Sequence, residues 1–160
     1  MSHLSEETKW YDQQIKKLGI IPISKITSQI YLGSIASTYP KVLVHYGITH
    51  IINAAKEANY RSNPPQIRLM MDDIPEENLF RVLEPSRRTM VKILENPNNK
   101  ILVHCTAGVS RSTSVLIYYF MKEKGMTFEE ALGMVRSKRD IVNPNKGFVE
   151  TLKAVEDIKV

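Results

Sequence analysis

Apolar and polar positions along the chain fall into two alternating patterns. Short apolar runs at 49–54, 66–71 and 100–103 have the length and composition of buried strands. Two further short runs, 23–26 and 29–32, flank Thr27 and Ser28 and predict a strand pair. Between these runs, apolar residues recur three and four positions apart, which predicts helices over 41–46, 79–95, 112–124, 127–138 and 145–158. Gly47 stands where the first of these should end, and Thr127 with Glu130 forms a capping box at the start of another. Pro85 lies inside the 79–95 pattern and is expected to kink it or to begin a new segment. A further helix is expected from Ser5 toward Leu18, with Glu6 and Glu7 in its first turn and Gly19 just past its end. The stretch 59–65, with two consecutive prolines, reads as a loop. Strands alternating with helices imply an α/β layer arrangement, and the absence of repeats, linkers and low-complexity segments implies one domain over 1–160, with about 1–20 as a helical extension.

Composition narrows the setting. With 160 residues the chain can bury about two thirds of its extended surface. A hydrophobic content of 42% with 24% charged residues excludes a disordered chain. One cysteine precludes an intrachain disulfide and points to a reducing compartment, the cytoplasm or also the nucleus. The N-terminus has no basic, apolar leader, Ser2 stands where myristoylation needs glycine, and the apolar run 115–121 is too short to span a bilayer, so no membrane attachment is expected. The net charge of +5 suits an anionic substrate. Nucleic acid is anionic too, but Arg87 with Arg88, and Arg136 with Lys138 and Arg139, read as solvated helix faces, and no basic stretch is interleaved with aromatics. His3, His45 and His50 have no metal-ligand spacing, so no metal site is expected.

The chemistry concentrates in residues 104–112, His-Cys-Thr-Ala-Gly-Val-Ser-Arg-Ser, between the 100–103 strand and the 112–124 helix. A loop that feeds a helix N-terminus aims backbone N–H groups and the positive end of the helix dipole at one point. Arg111 adds a planar fork of donors suited to phosphate oxygens, and the same field favours Cys105 as a thiolate. Against this stands the plainer alternative that Cys105 is an inert, buried, small apolar residue.

Residues 104–112 resemble the signature loop of the cysteine-dependent protein tyrosine phosphatases, in which a His-Cys pair is followed by five residues, then Arg and Ser or Thr. Asp73, Asn78 and Leu79 resemble the general-acid segment of the dual-specificity branch. Asn143, Pro144 and Asn145, followed by Gly147 and Phe148, resemble its segment before the last helix. With Ile30, Tyr31, Leu32 and Gly33 the resemblance covers about residues 25–158. It implies a single-domain protein tyrosine phosphatase-like α/β fold, with a central, mostly parallel sheet of about five strands flanked by helices. It further implies a small atypical dual-specificity protein phosphatase acting through a phosphocysteine, without a cofactor or metal.

The same resemblance assigns roles. Cys105 is the nucleophile, Arg111 and the backbone N–H groups of Thr106, Ala107, Gly108, Val109, Ser110 and Arg111 hold the phosphate, and Ser112 donates to the sulfur. His104 orders the loop and tunes the thiolate. The family's acid stands five positions before the Asn of Asn-Leu, which selects Asp73, with Asp72 as the alternative. Tyr60 and Arg61 are expected on the pocket rim. A phosphorylated protein is the expected substrate of a monomeric enzyme, because the loop lacks the lysines that phosphoinositide-directed relatives place there. A lipid or other non-protein phosphate monoester, or phosphate binding without turnover, are the alternatives.

Overall fold

The computed structural model of the protein describes residues 13, 21–58 and 63–160. The helix expected over 5–18 and the rim residues Tyr60 and Arg61 lie outside the described residues.

Strands β1 (Ile23–Lys25), β2 (Ile30–Gly33), β3 (His50–Ala55), β4 (Gln66–Met71) and β5 (Ile101–His104) form one sheet in the order β1-β2-β5-β3-β4. Only β1 and β2 run antiparallel; β5 lies parallel to both β2 and β3, and β3 parallel to β4. The β1–β2 turn is set by Thr27, whose Oγ1 accepts the amides of Gln29 at 3.2 Å and Ile30 at 3.1 Å. Among the described residues, five α-helices follow the predicted pattern: α1 (Pro40–Tyr46), α2 (Phe80–Leu94), α3 (Arg111–Glu123), α4 (Phe128–Lys138) and α5 (Lys146–Ala154).

Every residue of the central strand β5 is buried, as a parallel strand covered on both faces requires. Ile101 and Val103 face the larger core, built with α2 to α5, whereas Leu102 faces a smaller cluster containing Tyr31, Val42, Leu43 and Ile51. Helix α3 is buried from Arg111 to Met121 and packs against the sheet, α2, α4 and α5. The parallel strands therefore share one end, where β2, β3, β4 and β5 all release their chains, and this is where open α/β sheets bind ligands.

Two sequence expectations need correction. Helix α2 continues through Pro85 as one element, so Pro85 does not begin a new segment. Proline there leaves the Arg81 carbonyl without its helical donor, but both residues lie on the exposed face, while Val82, Leu83, Ser86 and Met90 bury the opposite one. Helix α5 stops at Ala154, short of Ile158, because Lys122 Nζ takes the Val155 and Ile158 carbonyls at 2.5 Å each.

Candidate active site

Cys105 is the first residue beyond β5 and is only 2% exposed. Its Sγ receives the Gly108 amide at 3.2 Å and lies 3.1 Å from Ser112 Oγ, so the loop curls around the sulfur. Gly108 makes the curl possible. Its φ is +70°, and a Cβ there would stand 2.6 Å from the Gly33 carbonyl carbon at the end of β2.

Four successive carbonyls of the loop are held from outside. Thr106 O accepts the Ile35 amide at 2.9 Å, and Val109 O accepts the Asn143 amide at 2.8 Å. Arg139 takes the two between them, Nη2 reaching Ala107 O at 3.3 Å and Nε reaching Gly108 O at 2.9 Å. In a planar trans peptide the N–H points opposite to the C=O, so this tethering turns the amides of Ala107, Gly108, Val109 and Ser110 toward the concave side. Ser110 Oγ, which accepts the Asn145 amide at 2.9 Å, secures the far end.

Arg111 opens α3 and is 5% exposed. Its Nη1 donates to Glu57 Oε1 at 2.6 Å and to Met71 O at 2.8 Å, and its Nη2 donates to Glu57 Oε2 at 2.5 Å. Nε is buried and has no partner. The β3–β4 register shifts between Asn53 and Ala55, and Met70 adopts φ 56°, which leaves the Met71 carbonyl free to take both the Lys56 amide and Arg111. Hydrogen bonding to Arg111 holds the Glu57 carboxyl at about 2, far below the usual range, with Thr106 contributing. In return, that bond, followed by the charges of Cys105, Glu57 and Asp73, raises the Arg111 guanidinium further against the opposing effect of burial.

Asp73 and Asp72 part company in the loop after β4. Asp73 Oδ1 accepts from Asn145 Nδ2 at 2.9 Å and is close enough to Arg111 to act on it, whereas Asp72 pairs with Lys56 at 3.7 Å on the surface. The loop rests on the start of α5: a Cβ on Gly147 would fall 2.0 Å from the Pro75 carbonyl oxygen. Asn145 caps the same helix, its Oδ1 accepting the Phe148 amide at 3.0 Å.

His104 contacts the backbone of the loop rather than the sulfur. Its Nδ1 lies 3.1 Å from the Cys105 carbonyl, which can only accept, so Nδ1 carries the proton and the buried Nε2 lacks a partner. Burial pushes its pKa down to about 4, which makes it a neutral buttress of the loop.

The structure thus brings together Cys105, Arg111, Ser112 and the loop amides, with Asp73 at the rim. Sequence reasoning missed Glu57 and Arg139. Glu57 lies 54 positions from its partner Arg111, so no local motif announces it. Arg139 was expected on a solvated helix face; it follows α4 and is 3% exposed, with Nη1 also bound to Ile21 O at 2.7 Å and Ser24 Oγ at 3.1 Å. Arg87, expected on another such face, is mostly buried and paired with Glu84 and Glu123. Among the described residues, no helix is long and apolar enough to cross a membrane.

Comparison with known proteins places this geometry in a family. The description "Dual specificity phosphatase, catalytic domain" matches residues 30–158. Protein-tyrosine-phosphatase MKP1 of Arabidopsis thaliana is 36% identical over 129 residues, covering 78% of this chain and 16% of that protein. The serine/threonine/tyrosine-interacting protein of Mus musculus is 37% identical over 135 residues, covering 80% of this chain and 60% of that protein. The chain therefore spans less than two thirds of either relative's length. Among solved structures, human DUSP28 superposes with a TM-score of 0.79 at 28% identity, covering 86% of this chain and 94% of the other. With the family match running from β2 past α5 and through the whole site, the chain belongs to the dual specificity phosphatases, protein phosphatases of the cysteine-dependent protein tyrosine phosphatase superfamily.

Proposed function

We propose that the chain removes phosphate from phosphotyrosine and from phosphoserine or phosphothreonine on proteins, with Cys105 as nucleophile and Asp73 as acid and base. The observation that carries the site assignment is the Arg111 Nε–H, buried without a partner, on the loop that wraps the Cys105 sulfur. Buried donors are almost always satisfied, and a phosphate oxygen supplies the missing acceptor.

The chemistry follows from the residues. The incoming dianion is held by the inward amides and the Arg111 Nε–H. Cys105 Sγ attacks phosphorus, the bond to the substrate oxygen breaks, and protonated Asp73 gives that oxygen its proton. Asp73, now a carboxylate, takes a proton from water as the water attacks the phosphocysteine. The S–P bond breaks, and the Ser112 hydroxyl, 3.1 Å from the sulfur, stabilises the departing thiolate. Asn145 steers Asp73, and His104 and Arg139 support the loop.

A protein substrate is favoured over a phosphoinositide. The exposed loop residues Thr106 and Ala107 carry no charge, and Glu57, bonded to Thr106 Oγ1 at 2.5 Å, puts a carboxylate at the mouth where extra phosphates would need cations. A monomer working on signalling phosphoproteins in the cytoplasm fits the single thiol and the net charge of +5. A substrate panel tests the reading. Phosphotyrosine and phosphothreonine peptides should both be hydrolysed, and phosphoinositide micelles should not. Turnover of the lipid alone, or phosphate binding with no turnover of any substrate, would overturn it.

A further inference from the structure

Arg81, in the first turn of α2, belongs to no part of the signature loop, yet its guanidinium reaches back to the strand that delivers Asp73. Nη1 donates to Leu69 O at 3.0 Å, and Nη2 donates to Met70 O at 3.3 Å and to Glu77 Oε1 at 2.9 Å. Both carbonyls belong to a bulge. The β3–β4 pairing passes from Asn53 with Arg68 to Ala55 with Met71, so Leu69 and Met70 stand opposite Ala54 alone. Successive carbonyls of a regular strand point to opposite sides. Met70, however, has φ 56°, a left-handed conformation uncommon outside glycine, and one guanidinium takes both carbonyls. Glu77 precedes α2, so its ion pair with Arg81 ties the loop after β4 to the same side chain, and the Glu77 side chain is only 15% exposed.

We propose that Arg81 is a positioning residue for Asp73: it locks the bulged exit of β4 and, through Glu77, the far end of the segment that follows, so that Asp73 hangs from a loop held at both ends. The inference rests on the reading of Asp73 as the acid. Asp73 lies three positions after Met70 and four before Glu77, between the two footholds. Asn145 holds the carboxylate from the α5 side, and Arg81 fixes the backbone from the α2 side. Without Arg81 the left-handed turn at Met70 loses the donor that gathers its carbonyls, and the loop keeps its anchors on one side. Proton transfer requires the acid within hydrogen-bond reach of the leaving oxygen, so the proton donated to that oxygen is what the loss would affect. The plainer role, a surface ion pair with Glu77, contributes little and has no dependence on the leaving group.

The test measures kcat/KM for wild type, Arg81→Gln, Glu77→Gln, Asp73→Ala and the double variant Arg81→Gln/Asp73→Ala on aryl phosphates of graded leaving-group pKa, with inorganic phosphate as inhibitor. Arg81→Gln should lower kcat/KM by about 10-fold for esters with poor leaving groups and by less than about 2-fold for those that depart without a proton. Glu77→Gln should show the same dependence at about 3-fold. Inhibition by phosphate, which reads the signature loop, should change by less than about 2-fold in both. In the Asp73→Ala background, Arg81→Gln should lower kcat/KM by less than about 2-fold on every ester, whereas a residue that only stabilises the fold would lower it equally in either background. The proposal is overturned if Arg81→Gln matches wild type, if its loss is uniform across the series or persists in Asp73→Ala, if phosphate inhibition weakens as much as kcat/KM falls, or if Glu77→Gln leaves the series unchanged. Hydrolysis of poor leaving groups by Asp73→Ala as fast as by wild type would instead remove the underlying reading of Asp73, and is distinguishable because it is measured in that single variant alone.

Discussion

Asn145 Nδ2 donates to Asp73 Oδ1 at 2.9 Å, joining the cap of the last helix to the loop that carries the proposed acid, 72 positions upstream. One side chain thus does two tasks, because its Oδ1 caps α5 while its Nδ2 steers the carboxylate.

These tasks separate by substitution. Serine caps helices as well as asparagine but is too short to keep the Asp73 contact. Asn145→Ser should leave stability within about 0.5 kcal/mol and lower turnover by about 5- to 20-fold, most for esters with poor leaving groups. Chemical denaturation and a series of aryl phosphates of graded leaving-group pKa would check both halves.

Ser112 Oγ stands 3.1 Å from the Cys105 sulfur at full burial, so the hydroxyl has one functional neighbour of note. Its assigned role lies in the second step, where sulfur leaves. Ser112→Ala should therefore slow phosphocysteine hydrolysis more than its formation. Stopped-flow should reveal a burst of leaving group close to one per enzyme, with kcat reduced by about 10- to 100-fold. A uniform loss without a burst would contradict the role.

Arg139 donates to Gly108 O, Ala107 O, Ile21 O and Ser24 Oγ from a buried position. A lysine keeps the charge but cannot reproduce the fork. Arg139→Lys should destabilise the protein by about 2 to 4 kcal/mol and weaken phosphate inhibition as the loop carbonyls lose their tethers. Lys138→Gln, at an exposed neighbour, should change stability by no more than about 0.5 kcal/mol.

His104 gives the fold a pH dependence of definite sign. Its folded pKa of about 4 lies below the ordinary 6.5, so between these values the unfolded chain binds a proton that the folded one does not. Stability is therefore unaffected by this residue above about pH 6.5 and declines as pH falls toward 4, by about 3 kcal/mol in all. Subtracting the profile of His104→Asn from that of wild type should isolate the decline; identical slopes between pH 6.5 and 4 would contradict it.

The contrast between what the sequence disclosed and what it hid has a physical basis. Strand and helix placement was legible because burial imposes a period on the residues of each element, as on β5 and α3. The signature loop was legible because its residues are contiguous and chemically unusual. Glu57 and Arg139 were not, because their importance lies in contacts made across 54 and about 31 positions after folding, and a charged residue in a loop has the same local appearance whether it is solvated or holding a carbonyl. The choice of Asp73 over Asp72 rests on family spacing, and what folding adds is that the two adjacent carboxylates have separate partners, Asn145 and Lys56.

The central claim is a covalent phosphocysteine at Cys105. Acid quench of wild type or Ser112→Ala within milliseconds of mixing with a phosphotyrosine peptide, followed by mass spectrometry of the intact chain, should show the addition of one phosphoryl group. That addition should map to Cys105 and be missing from Cys105→Ser, which should also lose turnover while still binding phosphate. Hydrolysis by Cys105→Ser at a rate comparable to wild type, or phosphate trapped on any other residue, would contradict the account.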